Sequence, residues 1–143
     1  MRKLLPEIAL AALISTSPAL AADVAVKDAW FRALPANVPS GGYFTLHNNG
    51  KDTVTLIGAE SAACGMLMLH KSEDKGGTSM MMDMPSIAVP AGGDIKFAPG
   101  GYHLMCMEPT PAMTPGSHVY VTLEFADGSK VLASFAVKNA RGQ

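Results

Sequence analysis

The feature that most constrains this chain is a short alternating period that turn residues keep interrupting. Val119, Val121, Leu123 and Phe125 alternate with Tyr120, Thr122 and Glu124. Apolar residues at every second position mark an extended strand with one buried face. Asn48-Asn49-Gly50, Lys75-Gly76-Gly77, Pro99-Gly100-Gly101 and Ala126-Asp127-Gly128 stand between such segments as turn signals. The pattern predicts strands near residues 24–32, 42–47, 53–59, 65–71, 79–84, 94–98, 102–108, 118–125 and 130–137. No stretch after residue 21 sustains a helical period. Many short strands with frequent turns imply an all-β sandwich or barrel. At 143 residues, with no internal repeat or linker, the chain suits one domain.

The first residues read as a secretory signal. Arg2 and Lys3 supply a positive start, Ile8 to Ile14 an apolar run, and Ala19-Leu20-Ala21 a small-x-small cleavage pattern. The expectation is cleavage after Ala21, which leaves residues 22–143 as a soluble domain in the periplasm. The apolar run is too short to act as a membrane span, and no Cys follows it to carry a lipid. Hydrophobic content of 48% against 16% charged suits a packed core and argues against disorder. A formal charge of −1 offers no basic field for nucleic acid.

Two cysteines, Cys64 and Cys106, are present. An oxidising compartment would allow them to pair, with one intramolecular connectivity. Two buried free thiols are the other reading, and sequence alone leaves both open.

His70, Met81, His103 and Met105 stand in the pattern H-x10-M-x21-H-x-M. Two imidazoles and two thioethers form a soft, uncharged ligand set, the kind that selects Cu(I). Zinc would favour His or carboxylate ligands, and a blue-copper electron-transfer site needs a Cys. A single Met among apolar neighbours is more often packing than ligand. Ten Met in the chain, four of them within Met80–Met84, shift that balance.

The spacing and its flanks resemble the periplasmic copper chaperones of the PCuAC type. The similarity includes Ala29-Trp30-Phe31-Arg32, Gly42-Tyr43-Phe44-Thr45-Leu46, Asn48-Asn49-Gly50 and Leu69-His70. It continues through Val89-Pro90-Ala91-Gly92-Gly93 and Pro99-Gly100-Gly101-Tyr102-His103-Leu104-Met105. Lys71 and Ser72 follow His70 where that family often has a Met. The resemblance implies a cupredoxin-like Greek-key β-sandwich that binds one Cu(I). It implies delivery to a cuproprotein acceptor: the CuA centre in subunit II of cytochrome c oxidase, or a Sco-type protein acting with it.

Strand parity says how the ligands would meet. His103 and Met105, two apart, share a face, while Leu104 and Cys106 point to the other. If Asp74-Lys75-Gly76-Gly77 forms a four-residue loop, His70 falls directly opposite Met81. Met80 and Met82 would then face away, and Met66 and Met68 would share the face of His70. Cys64 lies about 20 Å from His70 along an extended strand at roughly 3.3 Å per residue, too far to share its metal. His47 and His118 lack a sulfur partner and read as ordinary surface histidines. Trp30, Tyr43 and Tyr102 read as packing residues. The competing functions are a copper buffer, for which Met80, Met82 and Met84 would add capacity, and a secreted interaction domain without metal. No catalytic constellation supports an enzyme, and the expected state is a monomer.

Overall fold

The computed structural model describes residues 22–35 and 38–143. The expected leader, residues 1–21, lies outside them. Ten strands follow in order: β1 (Val24–Arg32), β2 (Ser40–Asn48), β3 (Val54–Glu60), β4 (Cys64–Lys75), β5 (Thr78–Asp83), β6 (Ile87–Val89), β7 (Asp94–Phe97), β8 (Tyr102–Pro109), β9 (His118–Phe125) and β10 (Lys130–Lys138). Nine fall where the alternation places them. The exception is β6, three residues between Pro85 and Pro90. It is too short to show a period, yet it buries Ile87 and Val89 against the core.

The hydrogen-bonded order is β5-β4-β8-β2-β1-β10-β9-β3-β6, with β7 paired to β2. β1 and β10 run parallel, and the other pairs are antiparallel. β2 changes partner along its length, bonding β8 at Ser40–Gly42 and β7 at Phe44–His47. The result is an all-β, cupredoxin-like Greek-key sandwich. Its core is aromatic: Phe44 stacks on Phe97 at 4.3 Å and meets Phe135 at 5.5 Å, and Phe31 meets Phe135 at 5.1 Å. Each such side chain contributes about 1.5–3 kcal/mol on burial. Asn48 is buried but satisfied. Its amide donates to the carbonyls of Asp52 and Val89, and its oxygen accepts from Gly50 N–H. A buried polar side chain with its bonds made costs little and fixes the turn.

One irregularity decides which side chains reach the outer face. Val24 and Val26 pack on the core, and so does Phe31, although strict alternation would turn an odd-numbered residue outward. The change comes at Asp28, whose φ of +52° marks a bulge where the β1–β2 register shifts. Trp30 and Arg32 therefore face outward. There the Arg32 guanidinium lies 5.4 Å from the Trp30 ring centre and 5.7 Å from that of Tyr43. Trp30 and Tyr43 are thus packing residues, as expected, but of the outer face and not of the core.

Cys64 and Cys106 are joined by a disulfide, with Cα atoms 5.4 Å apart. The bridge ties β4 to β8, and its Cys106 end is fully buried. At that end of the pair, Glu108 adopts φ +50° and its side chain folds over Gly65. A Cβ on Gly65 would stand 2.6 Å from the Glu108 carboxylate, so only glycine permits this approach.

Candidate metal centre

β4 and β8 present three successive outward rungs: Met66 opposite Met107, Met68 opposite Met105, and His70 opposite His103. The inward rungs between them are Leu67 with Cys106 and Leu69 with Leu104. Directly opposed side chains start about 4.5–5.5 Å apart at Cβ. The two imidazoles meet edge to face, with ring centres 5.6 Å apart and planes at 88°.

His103 is only 4% exposed although it lies on an outward rung. Its Nδ1 is 3.1 Å from the carbonyl oxygen of Gly101. A carbonyl can only accept, so Nδ1 carries the proton. Nε2 then keeps its lone pair, and it is buried with no hydrogen-bond partner. Burial lowers the pKa of His103 below the ordinary imidazole value. The Gly101 bond opposes that shift, and the neighbouring His70 adds to it. The ring is therefore neutral at pH 7, with its lone pair available.

His70 is also largely buried. Its Nε2 lies 2.8 Å from Asp83 Oδ1, but neither ring nitrogen makes an aligned hydrogen bond. Asp83 is an exposed and loosely held partner. Met105 is half-buried, beside Gly41 of β2. The space above Gly41 is filled by the Tyr43 ring, whose hydroxyl would stand 2.5 Å from a Cβ there. Tyr43 thus walls the site on the β2 side.

Met81 is not where the four-residue loop would put it. The hairpin closes on two residues, Gly76 and Gly77, with φ +61° and +83°, and Lys75 pairs with Thr78. Two consecutive left-handed residues form the turn type whose twist matches the flanking strands, and Gly-Gly supplies both at little cost. The register moves by two residues, so Asp83 stands opposite His70 and Met81 stands opposite Ser72. A shift of two keeps the face, whereas a shift of one would lose it. Met81 therefore shares the face of His70 as a diagonal neighbour, about 7–8 Å away by the usual strand spacing, and is 60% exposed. Met80 and Met82 have the opposite parity, as expected, and Met84 packs against the core. The structure thus gathers His70, His103 and Met105 and leaves Met81 at the rim. Among the described residues, no three His, Cys, Asp or Glu side chains gather as a metal cluster.

The chain matches the family described as "Putative lipoprotein LpqE-like" over residues 24–137. It belongs to the LpqE-like family. A relative, "Putative lipoprotein Lxx21020" of Leifsonia xyli subsp. xyli (strain CTCB07), is 33% identical over 120 residues. That match covers 83% of this chain and 72% of the relative. Among solved structures, the copper-bound PCuAC domain from PmoF2 superposes with a TM-score of 0.69 at 21% identity, over 84% of this chain and 96% of that one. That likeness is one of fold. The solution structure of CuI-DR1885 from Deinococcus radiodurans gives a TM-score of 0.66 at 27% identity, over 85% of this chain and 81% of that one.

In this LpqE-like chain, two neighbours of the site escape a reading by motif. Met68 directly opposes Met105 on the rung next to His70 and His103, whereas Met81 stands on the edge strand opposite Ser72. The parity of Met68 with His70 is legible in the sequence, but its rung is not. Asp83 reaches His70 only because of the two-residue turn. The other two histidines lie outside the β4–β8 ladder. His47 contacts Asp94 through Nδ1, and exposed His118 lines a cavity of about 830 Å³ with Met66 and Tyr120.

Proposed function

We propose that this LpqE-like protein is a periplasmic copper chaperone that holds one Cu(I) through His70, Met81, His103 and Met105 and gives it up by ligand exchange. The observation that carries the reading is His103. A metal-ligating His characteristically donates its second N–H to a carbonyl or carboxylate, which fixes the tautomer and aims the free nitrogen. His103 does this through Gly101, and its other nitrogen is buried and unpartnered. A buried polar atom without a partner is costly unless something fills the vacancy in its bonding.

The donor set fits Cu(I). With Cys64 and Cys106 joined, no thiolate competes, and thioethers persist where thiols would oxidise. Four uncharged ligands hold a singly charged ion without trapping it. The fold shared with the PmoF2 domain and the similarity to CuI-DR1885 support the same reading. The acceptor that the family resemblance implies is the CuA centre of cytochrome c oxidase, in subunit II or by way of a Sco-type protein. The protein acts as a monomer after removal of residues 1–21. Copper is cargo, and no substrate bond is made or broken.

The test is an anaerobic Cu(I) titration against a chromophoric chelator, with Met81→Ala and His103→Ala in parallel. One tight equivalent weakened in both variants is expected. Tight binding indifferent to both would sink the four-ligand site.

A further inference from the structure

The four-ligand reading leaves part of the ladder unused. Met66, Met68 and Met107 occupy the two rungs next to the histidines, together with Met105. Their positions are unusual for methionine used as filler. The inward residues of the same strands, Leu67, Leu69, Leu104 and Cys106, already supply the apolar packing. The methionines face the other way, and Met66 is 58% exposed. Two adjacent, directly opposed Met pairs bring four thioethers onto one patch of sheet. Cβ atoms lie about 4.5–5.5 Å apart within a rung, and about 6.6 Å separates neighbouring rungs along a strand. Flexible three-bond side chains converge easily over such spans.

The surroundings suit a soft cation. Gly41, opposite Met105, is covered by the Tyr43 ring, and Gly65, next to Met66, by the Glu108 side chain. At that end Glu108 folds over Gly65, the chain neighbour of Met66, and Glu60 lines a cavity together with Gly65 and Met66, so two carboxylates place negative charge there. No Lys or Arg stands on these rungs.

We propose that Met66, Met68 and Met107 form a second, all-thioether Cu(I) position, contiguous with the His70–His103 site through Met105. Resting on the copper reading above, it adds a staging point: the ion moves between the two positions by exchanging thioethers at Met105. Copper stays Cu(I) throughout, and no proton or electron is transferred. The weaker, more exposed position is where an ion arrives or departs.

The test uses the protein labelled with [methyl-13C]methionine, titrated anaerobically with Cu(I) alone. Chelator competition counts equivalents, and each Met methyl signal is followed by NMR. Leu replaces Met with little change of volume, so Met66→Leu/Met107→Leu keeps the fold, which is checked by thermal unfolding. The wild type is expected to take two equivalents, the second moving the methyls of Met66, Met68 and Met107. The double variant should keep the first at full affinity and weaken the second at least tenfold. His103→Ala should weaken the first and spare the second. A second equivalent that survives the double Leu change, or a wild type that takes one only, overturns the proposal. A protein that binds no Cu(I) at all overturns the underlying copper reading instead.

Discussion

β8 lies between β4 and β2, whereas β5 ends the sheet order with β4 beside it. Both carry candidate ligands on the same face, but they are held differently. His103 is almost fully buried, bonded to Gly101 and set on a strand tied to β4 by the disulfide. Met81 is mostly exposed, on an edge hairpin that closes over two glycines. A central strand fixes a ligand before the ion comes, and an edge hairpin lets one leave. Prepaid order strengthens binding, and a loosely held ligand speeds release. A protein that must both hold and surrender an ion gains from having one of each.

The disulfide is the strongest way to disturb this contrast. It closes a loop with a sequence separation of 42 residues, for which the chain-entropy argument gives about 4 kcal/mol. Cys64→Ala/Cys106→Ala should lose stability on that order in urea unfolding. It should also loosen the His70–His103 rung more than the β5 hairpin, as amide exchange would show. A loss under about 1 kcal/mol would mean that β8 owes its order to packing alone.

Removing the fixed ligand comes next. His103→Ala should weaken Cu(I) binding roughly 100-fold or more, about 2.7 kcal/mol. The mobile ligand should matter less. Met81→Ala should cost about tenfold in affinity, mostly through faster release, and leave the unfolding midpoint unchanged. Equal losses from the two variants, read by chelator competition and stopped-flow transfer, would erase the distinction between the strands.

The hairpin turn offers a smaller lever. Gly77 has φ +83° with open space around its Cβ position. Gly77→Ala therefore pays only in backbone strain, roughly 1 kcal/mol. Faster amide exchange should appear in β5 and not in β8. The smallest effect is on pH. Below about 6.5 an ordinary imidazole in the unfolded chain takes up a proton, while the lowered pKa of His103 keeps the folded protein from doing so. The unfolded state then binds more protons, so stability rises with pH in that window and falls on acidification. The urea midpoint should drop between about pH 7 and about pH 5, and His103→Gln should flatten the drop.

Much of this was open to sequence reasoning, for identifiable reasons. Period-two strands such as β9 state their own buried face, and parity alone sets His103 and Met105 apart from Leu104 and Cys106. Register is a different matter. It depends on turn type, and Lys75-Gly76-Gly77 fits loops of two residues or four equally well as a string of letters. The observed pairing of His70 with Asp83 follows from two positive φ values that sequence does not display. The disulfide depends on the local break in alternation around Gly65 and Glu108. Before that break is seen, parity sets Cys64 and Cys106 on opposite faces.

The bulge at Asp28 bears on how such a chain tolerates insertions and deletions. Substitutions there that accept a left-handed backbone, such as Asp28→Gly or Asp28→Asn, leave the register of β1 intact. Losing Asp28 would leave Lys27, Ala29 and Trp30 opposite Thr45, Phe44 and Tyr43 in a regular ladder, with Phe31 still inward, whereas one further residue in the strand without a second bulge would send Phe31 to water and Trp30 into the aromatic core. The strand therefore accommodates a one-residue deletion at this point better than a one-residue insertion.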